Sequence, residues 1–189
     1  MNLIFRLIAV LIAGWRAGRG CNPAEEFMQV RRLSMRCWPT DLDFNFHMNN
    51  GRYLSIMDLG RVDLMLRAGL LGPILRQKKW MPVIAASTVR YRRAIAPFEK
   101  FELETRLVGW DERWVFLEQR FFGASGRVNA IGLVQAAMTS KGGRVPTSEL
   151  MELVGVAPDT DGKPPAYVDD WVRMLADWPT EGSVAAGAE

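Results

Sequence analysis

The sequence predicts an α+β fold, an antiparallel sheet wrapped around one long central helix. Three observations carry this. Residues 50–68 place apolar side chains at helical spacing. Four strand-like runs follow, separated by short turns. A further strand-like run precedes the helix. The 189 residues are 49% hydrophobic and 24% charged, which suits one compact domain of about 130 residues with short extensions.

The extensions divide the chain into an apolar N-terminal piece (1–20), a main domain (28–145) and a helical C-terminal piece with a tail (146–189). A net charge of +3 fits an anionic ligand or a membrane surface and is too small to argue for nucleic acid. No zinc or RNA-binding spacing occurs, so no nucleic acid, metal or other cofactor is expected. Cys21 and Cys37 support no disulfide framework, and reduced thiols suit a cytoplasmic protein.

Residues 3–15 are apolar except for Arg6. About 13 residues fall short of the ~20 that span a bilayer as a helix. The segment reads as an interfacial helix anchored by Trp15, Arg16 and Arg19, or as a helix docked on the domain. Residues 21–27 read as a linker, with Asn22-Pro23 breaking the preceding helix. Residues 28–38 read as the first strand, with a bulge near Arg31 and Arg32 where the alternation slips.

A polar cluster follows, Asp41-Leu-Asp43-Phe-Asn45-Phe-His47-Met-Asn49-Asn50, which contains the only histidine. The central helix begins at its end. At ~100° per residue, Tyr53, Leu54, Met57, Leu64, Met65 and Ala68 share one arc, with Arg61 near its middle and Asp58 at its edge. A charge on such a face needs a partner, so an Asp58–Arg61 pair is expected, shared with Asp41 or Asp43. Gly69 and Gly72-Pro73 end the helix. Strands are expected over 81–95, 100–111, 114–122 and 128–140, in meander order. One helix covers one sheet face, and burying the other argues for a dimer. A short helix to Val154, a polar linker over 158–165, a docking helix over 166–178 and a frayed tail over 181–189 complete the chain.

The element order and the motif DLDFNFHMNNGRYL resemble the hotdog-fold acyl thioesterases of the 4-hydroxybenzoyl-CoA thioesterase-like superfamily. The match is to the DLD-x-N-x-H-x-NN-x-x-Y stretch of the plant acyl-carrier-protein thioesterases. The longer set HMNNGRYL, GLLGPI, VIAAS and YRRAIAPFEKFELETRLVGWDERWVFLEQRF resembles an animal branch whose members carry an apolar N-terminal segment. The resemblance implies a catalytic group at Asp43, Asn45 and His47. The plant enzymes have Glu-Cys after Tyr-Arg-Arg; here Tyr91-Arg92-Arg93 precedes Ala94-Ile95.

Thioester hydrolysis needs an activated water, a donor to the oxyanion and a place for the acyl chain. Asp43 suits general base or nucleophile, particularly if partial burial raises its pKa. His47 can share that role, and Asn45 can orient the water. If the loop is extended, alternation places all three on one side. Backbone N–H groups from Asn49 to Arg52 are expected to be free to polarise the carbonyl. Asn49, Asn50 and Arg92 are candidate substrate-binding residues. Competing readings give Asn49 or Asn50 a helix-capping role, His47 a loop-bonding role and Asp43 a pairing with Arg61. Arg90 and Arg92 share a strand face that could meet phosphates or an acidic carrier, though a solvated sheet edge is the usual explanation for such a face.

The reading reached is an acyl-thioester hydrolase acting on acyl-CoA or acyl-carrier protein, as a homodimer or higher oligomer, with membrane contact through residues 3–15. The alternative is a non-catalytic acyl-lipid binding or membrane-surface scaffold protein. A hydratase of the same fold, with D-x-N-P-x-H, does not fit the spacing from Asp43 or Asp41 to His47.

Overall fold

The strand-like runs pair as one antiparallel sheet, but not in chain order. The computed structural model describes residues 2–17 and 21–178. Its strands are β1 (Arg31–Arg36), β2 (Met81–Tyr91), β3 (Lys100–Trp110), β4 (Val115–Phe122), β5 (Val128–Ser140) and β6 (Gly143–Val145). The sheet order is β1-β3-β4-β5-β2, with β6 on β5. Only β3, β4 and β5 form the expected meander. β2 leaves the central helix on the far side of the sheet and pairs with β5, so one edge of the sheet is an eleven-residue strand.

The central helix α3 (Asn50–Arg67) begins where Asn49 accepts a hydrogen bond from Gly51 N–H at 2.9 Å, a side-chain cap on the first turn. Its sheet-facing side carries Tyr53, Ile56, Met57 and Leu64 against Phe101, Leu103, Leu117, Phe121, Ala130 and Val134. Gly60 permits this approach. A Cβ there would lie 2.7 Å from Gln119 Nε2 and 2.8 Å from Leu103 Cδ2.

Two further faces of α3 change the expected picture. Leu59 and Asp63 are buried, whereas Leu54 is 41% exposed. The reason is α1 (Asn2–Ala17), which packs along α3 on the side away from the sheet. Gly14 sets the spacing, since a Cβ would lie 2.8 Å from Leu66 Cβ. On the remaining face, Asp58, Arg61 and Met65 line a cavity together with Pro82 and Ile84 of the edge strand β2.

The N-terminal half departs from the sequence reading in two places. Residues 23–28 form a helix, α2 (Pro23–Met28), not a linker. Asn22 caps it through Ala24 N–H, and Pro23 occupies the first helical position, where its missing donor costs nothing. The slip in alternation is therefore a helix-to-strand junction. β1 runs in continuous register with β3 from Arg31 opposite Thr105 to Arg36 opposite Lys100, without a bulge.

The outer sheet face is covered by the chain itself. α4 (Thr147–Val154) packs at one end of the core, and α5 (Ala166–Ala176) lies outside, where Val168 and Trp171 bury Phe116 and Leu133. That removes the argument for a partner chain on this face. Tyr167 on α5 donates to Glu118 Oε2 at 2.9 Å, and Arg106 and Arg120 hold Oε1 at 2.7 and 2.6 Å. Burial raises the Glu118 carboxyl, but these three donors outweigh it and hold it below the usual range. The expected tail and the Arg19 anchor lie outside the described residues.

Candidate active site

The polar cluster folds as a small closed loop between β1 and α3. Its neck is three backbone contacts deep: Asn49 N–H donates to Asp41 O at 2.8 Å, Leu42 bridges Met48, and Asp43 N–H donates to His47 O at 2.9 Å. At the tip, Asp43 Oδ1 accepts from Asn45 N–H at 2.8 Å, a side-chain turn typical of Asp. Phe46 sits at φ +58°, the left-handed region that costs a bulky residue roughly 1–2 kcal/mol. The loop is thus a turn, so the condition of an extended loop is not met.

The turn nevertheless brings the three predicted catalytic side chains together. Asp43, Asn45 and His47 line one depression of about 360 Å3 with Met48, Asn50, Tyr53, Tyr91, Arg92, Arg93 and Ala94. Phe44 and Phe46, between them in sequence, are 89% and 73% exposed. Asp43 is half-buried, and its second oxygen accepts no hydrogen bond from a described residue. The His47 imidazole is exposed and bonds to no described residue, so it does not hold the loop.

Among the proposed substrate-binding residues, Asn50 and Arg92 reach this depression and Asn49 does not line it. Asn49 spends its side chain on capping α3. Most of the expected free amides at the helix start are also spoken for. Asn49 N–H goes to Asp41 O, Gly51 N–H to Asn49 Oδ1 and Arg52 N–H to Asn49 O. Asn50 N–H is the one of the four that donates to no described residue.

The opposite wall was only partly foreseen. Tyr91 Oη donates to Asn50 O at 3.0 Å, and its ring meets Tyr53 edge-on at 5.1 Å. Burial pushes both phenols above their usual range, for Tyr53 with help from neighbouring Cys37 and Tyr91, so both remain donors at neutral pH. The turn after Tyr91 is held by Asn129, whose backbone carbonyl accepts from Arg92 and Arg93 N–H at 2.8 and 3.0 Å while its side chain donates to Ala94 O at 2.8 Å. Sequence spacing gave no sign of Asn129, which lies on a different strand. Ala94 lines the site and Ile95 is fully buried, its carbonyl accepting Met48 N–H at 3.0 Å. Cys37 is no nucleophile: burial first, and Asp41 second, push its thiol up to about 11.

Farther along α3, the Asp58–Arg61 pair forms as expected, but Asp41 and Asp43 do not share it. Arg61 instead donates to Gln119 Oε1 at 2.7 Å, and Gln119 in turn donates to Met57 O and Thr105 Oγ1 at 2.9 and 2.8 Å. Burial pulls the Arg61 guanidinium down, and Asp58 opposes the shift. The pair sits on the wall of a cavity of about 170 Å3 that Val62, Met65, Ile84, Leu117 and Met138 make apolar. A buried pair the sequence reading missed, Asp63–Arg67, closes the other side of the helix.

Residues 37–173 match the family model of the thioesterase-like superfamily. The chain belongs to that superfamily. Its relatives include protein THEM6 of Drosophila melanogaster, 35% identical over 84% of this chain and 80% of that protein. THEM6 of Danio rerio is 41% identical over 63% of this chain. The match spans 60% of the Danio protein's length, less than two thirds of it. Among solved structures, BH1999 gentisyl-coenzyme A thioesterase superposes with a TM-score of 0.56 over 61% of this chain and 94% of its own, at 19% identity. That likeness carries the fold, and the hotdog architecture of the superfamily is the one described above.

Proposed function

We propose that the protein is an acyl-thioester hydrolase acting on acyl-CoA or an acyl-carrier protein. The observation that carries this is the convergence of Asp43, Asn45 and His47 on one depression beside the unpaired Asn50 N–H at the N-terminus of α3, in a chain of the thioesterase-like superfamily. Asp43 takes a proton from a water that Asn45 orients, and the water oxygen bonds to the acyl carbon. Negative charge grows on the carbonyl oxygen, where Asn50 N–H and the positive end of the helix stabilise it. The C–S bond then breaks, and the proton that Asp43 took from the water passes to the departing sulfur, relayed by His47. The products are a free acid and a thiol. Arg92, on the rim, meets the phosphates of the carrier.

The acyl chain runs along the open face of α3. Asn50 and Asp58 are eight residues apart, roughly 12 Å along the helix, so the apolar cavity begins one short span beyond the site. Site and cavity both open on the edge strand β2, where Met81, Val83 and Ile84 are exposed. An uncovered strand edge with apolar side chains is a pairing surface, and a second copy of this chain joined there would roof both.

The N-terminal helix supports a place at a membrane surface. No helix among the described residues is long and apolar enough to cross a membrane. α1 has 16 residues, roughly 24 Å, against the ~30 Å hydrocarbon core. Its face away from α3 exposes Ile4, Phe5, Ile8, Ile12 and Trp15, with Arg16 beside them, the pattern of a helix lying in the headgroup layer.

A second reading, acyl-lipid binding without turnover, draws on Ala94, which lines the site where the plant enzymes have a carboxylate. Hydrolysis of a panel of acyl-CoA chain lengths by wild type and Asp43→Ala separates the two. The hydrolase reading expects turnover that falls by roughly 10²–10⁴ in the variant. Equal rates in both proteins, or none in the wild type, sink it.

A further inference from the structure

Arg6 is the one charged residue of an otherwise apolar segment, and it does not point to water. Its Nη2 donates to Asp41 Oδ2 and to Arg36 O, both at 2.6 Å, and its side chain is 10% exposed. Asp41 is the residue at the neck of the site loop. Its carboxylate is fully buried, with Arg6 on Oδ2 and Arg52 Nε at 3.2 Å from Oδ1. Oδ2 also accepts from Trp38 N–H at 2.9 Å, and the Asp41 carbonyl accepts from Asn49 N–H at 2.8 Å. One residue therefore joins the end of β1, the first turn of α3, the docked helix α1 and the strand pair that carries Asp43 and His47.

We propose that Arg6 is a positioning residue for the site: through Asp41, it makes docking of α1 a condition for the catalytic placement of Asp43 and His47. This rests on the hydrolase reading for its kinetic consequence. The energetic argument is that a buried carboxylate stripped of one partner is costly, and the strain is relieved by letting the carboxylate move toward water. A shift of the Asp41 backbone opens the Asn49-to-Asp41 hydrogen bond, and the Leu42–Met48 bridge and Asp43-to-His47 bond are the next contacts up the neck. A shift of about 1 Å in a reacting group is enough to lose two orders of magnitude in rate. Arg6 ties α1 to Asp41, and Gly14 against Leu66 fixes the other end of the helix, so Arg6 is where its position is read.

The test uses the full chain with Arg6→Met, Arg6→Lys, the double variant Arg6→Met with Asp41→Asn, and Arg16→Met as control. Arg16 is exposed on the same helix and leaves Asp41 untouched. In Arg6→Met, kcat for acyl-CoA falls roughly 10–100-fold with KM within about twofold, and Arg6→Lys recovers part of the loss. Amide exchange at Asp43 and Asn49 speeds up at least about tenfold while β3 and β4 stay protected. Arg16→Met behaves as wild type. The double variant removes the charge that has lost its Arg6 partner, so its thermal midpoint returns toward wild type while kcat stays low. Wild-type exchange at Asp43 and Asn49 in Arg6→Met overturns the proposal, as does full recovery of kcat in the double variant, which marks a purely structural pair. If the wild type turns over no acyl-CoA, the hydrolase reading fails, and the exchange measurement still decides whether Arg6 holds the loop.

Discussion

Tyr91 and Asn50 close the site across its mouth: the last residue of the edge strand donates its hydroxyl to the backbone carbonyl of the first residue of the central helix, at 3.0 Å. The bond occupies the Asn50 carbonyl, while the Asn50 N–H, part of the preceding peptide unit, donates to no described residue. Tyr91→Phe keeps the ring contact with Tyr53 and removes only the hydroxyl. The expected loss is about 0.5–1.5 kcal/mol in urea unfolding, with a several-fold fall in kcat/KM. A variant indistinguishable from wild type in both would show that the bond does not shape the site.

One Asp43 oxygen is committed to the turn, and the proposed hydrolysis uses the other as its base. Asp43→Asn keeps an oxygen to accept Asn45 N–H and so keeps the turn, but it has no base. Stability within about 0.5 kcal/mol of wild type is expected, with kcat lower by roughly 10²–10⁴. Asp43→Ala should lose both the turn and the rate, and comparing the two by unfolding and turnover separates the roles.

Gly60 sets two helix effects against each other. Alanine is about 1 kcal/mol better than glycine in a helix interior. Its Cβ would press on Gln119, Leu103 and Thr105, and overpacking costs about 1–3 kcal/mol. Packing wins, so Gly60→Ala is expected to lower the thermal midpoint and to loosen the Arg61–Gln119 bond.

Glu118 predicts an acid limit to the docking of α5. Its folded pKa lies below its unfolded value near 4.5, so its contribution is present above that value and is lost as pH falls through the folded one. Tyr167→Phe removes one of the three donors and narrows the gap. The difference in stability between wild type and Tyr167→Phe should be largest at neutral pH and shrink below about pH 4.5. Denaturant titrations at several pH values measure it.

The edge strand predicts the assembly. Val83 sits in the exposed part of β2, opposite Ala137 of β5. A lysine there disfavours strand pairing between chains. Val83→Lys should run as a monomer by light scattering where the wild type runs as a dimer, and a wild type that is monomeric at high concentration removes the assembly from the account.

Much of this was legible in the chain because periodicity and turn chemistry are local. The central helix, the run 128–140 and the two helices of the C-terminal piece follow from spacing alone. The failures are where one residue type has two uses. Asn22-Pro23 has the local chemistry of a helix stop, yet the same pair is a cap followed by a first-turn proline, and it starts α2. The amphipathic arc of α3 was drawn for one buried side, whereas the helix is packed on two, because α1 supplies a second apolar wall. Asp58–Arg61 was visible as neighbours one turn apart. The second partner of Arg61, Gln119, lies 58 residues away, beyond any local pattern.

Most elements, the fold family and the ten-residue polar cluster are legible in the chain, since all three depend on residues close together in it. How that cluster is held depends on contacts between distant parts of the chain. The tertiary structure places β2 at the sheet edge, sets Asn129 under the Arg92–Arg93 turn, and turns the lone arginine of an apolar segment inward to Asp41, 35 residues on. The physical reason is that a buried charge is tolerated only where the whole fold brings it a partner, and no local rule says which one.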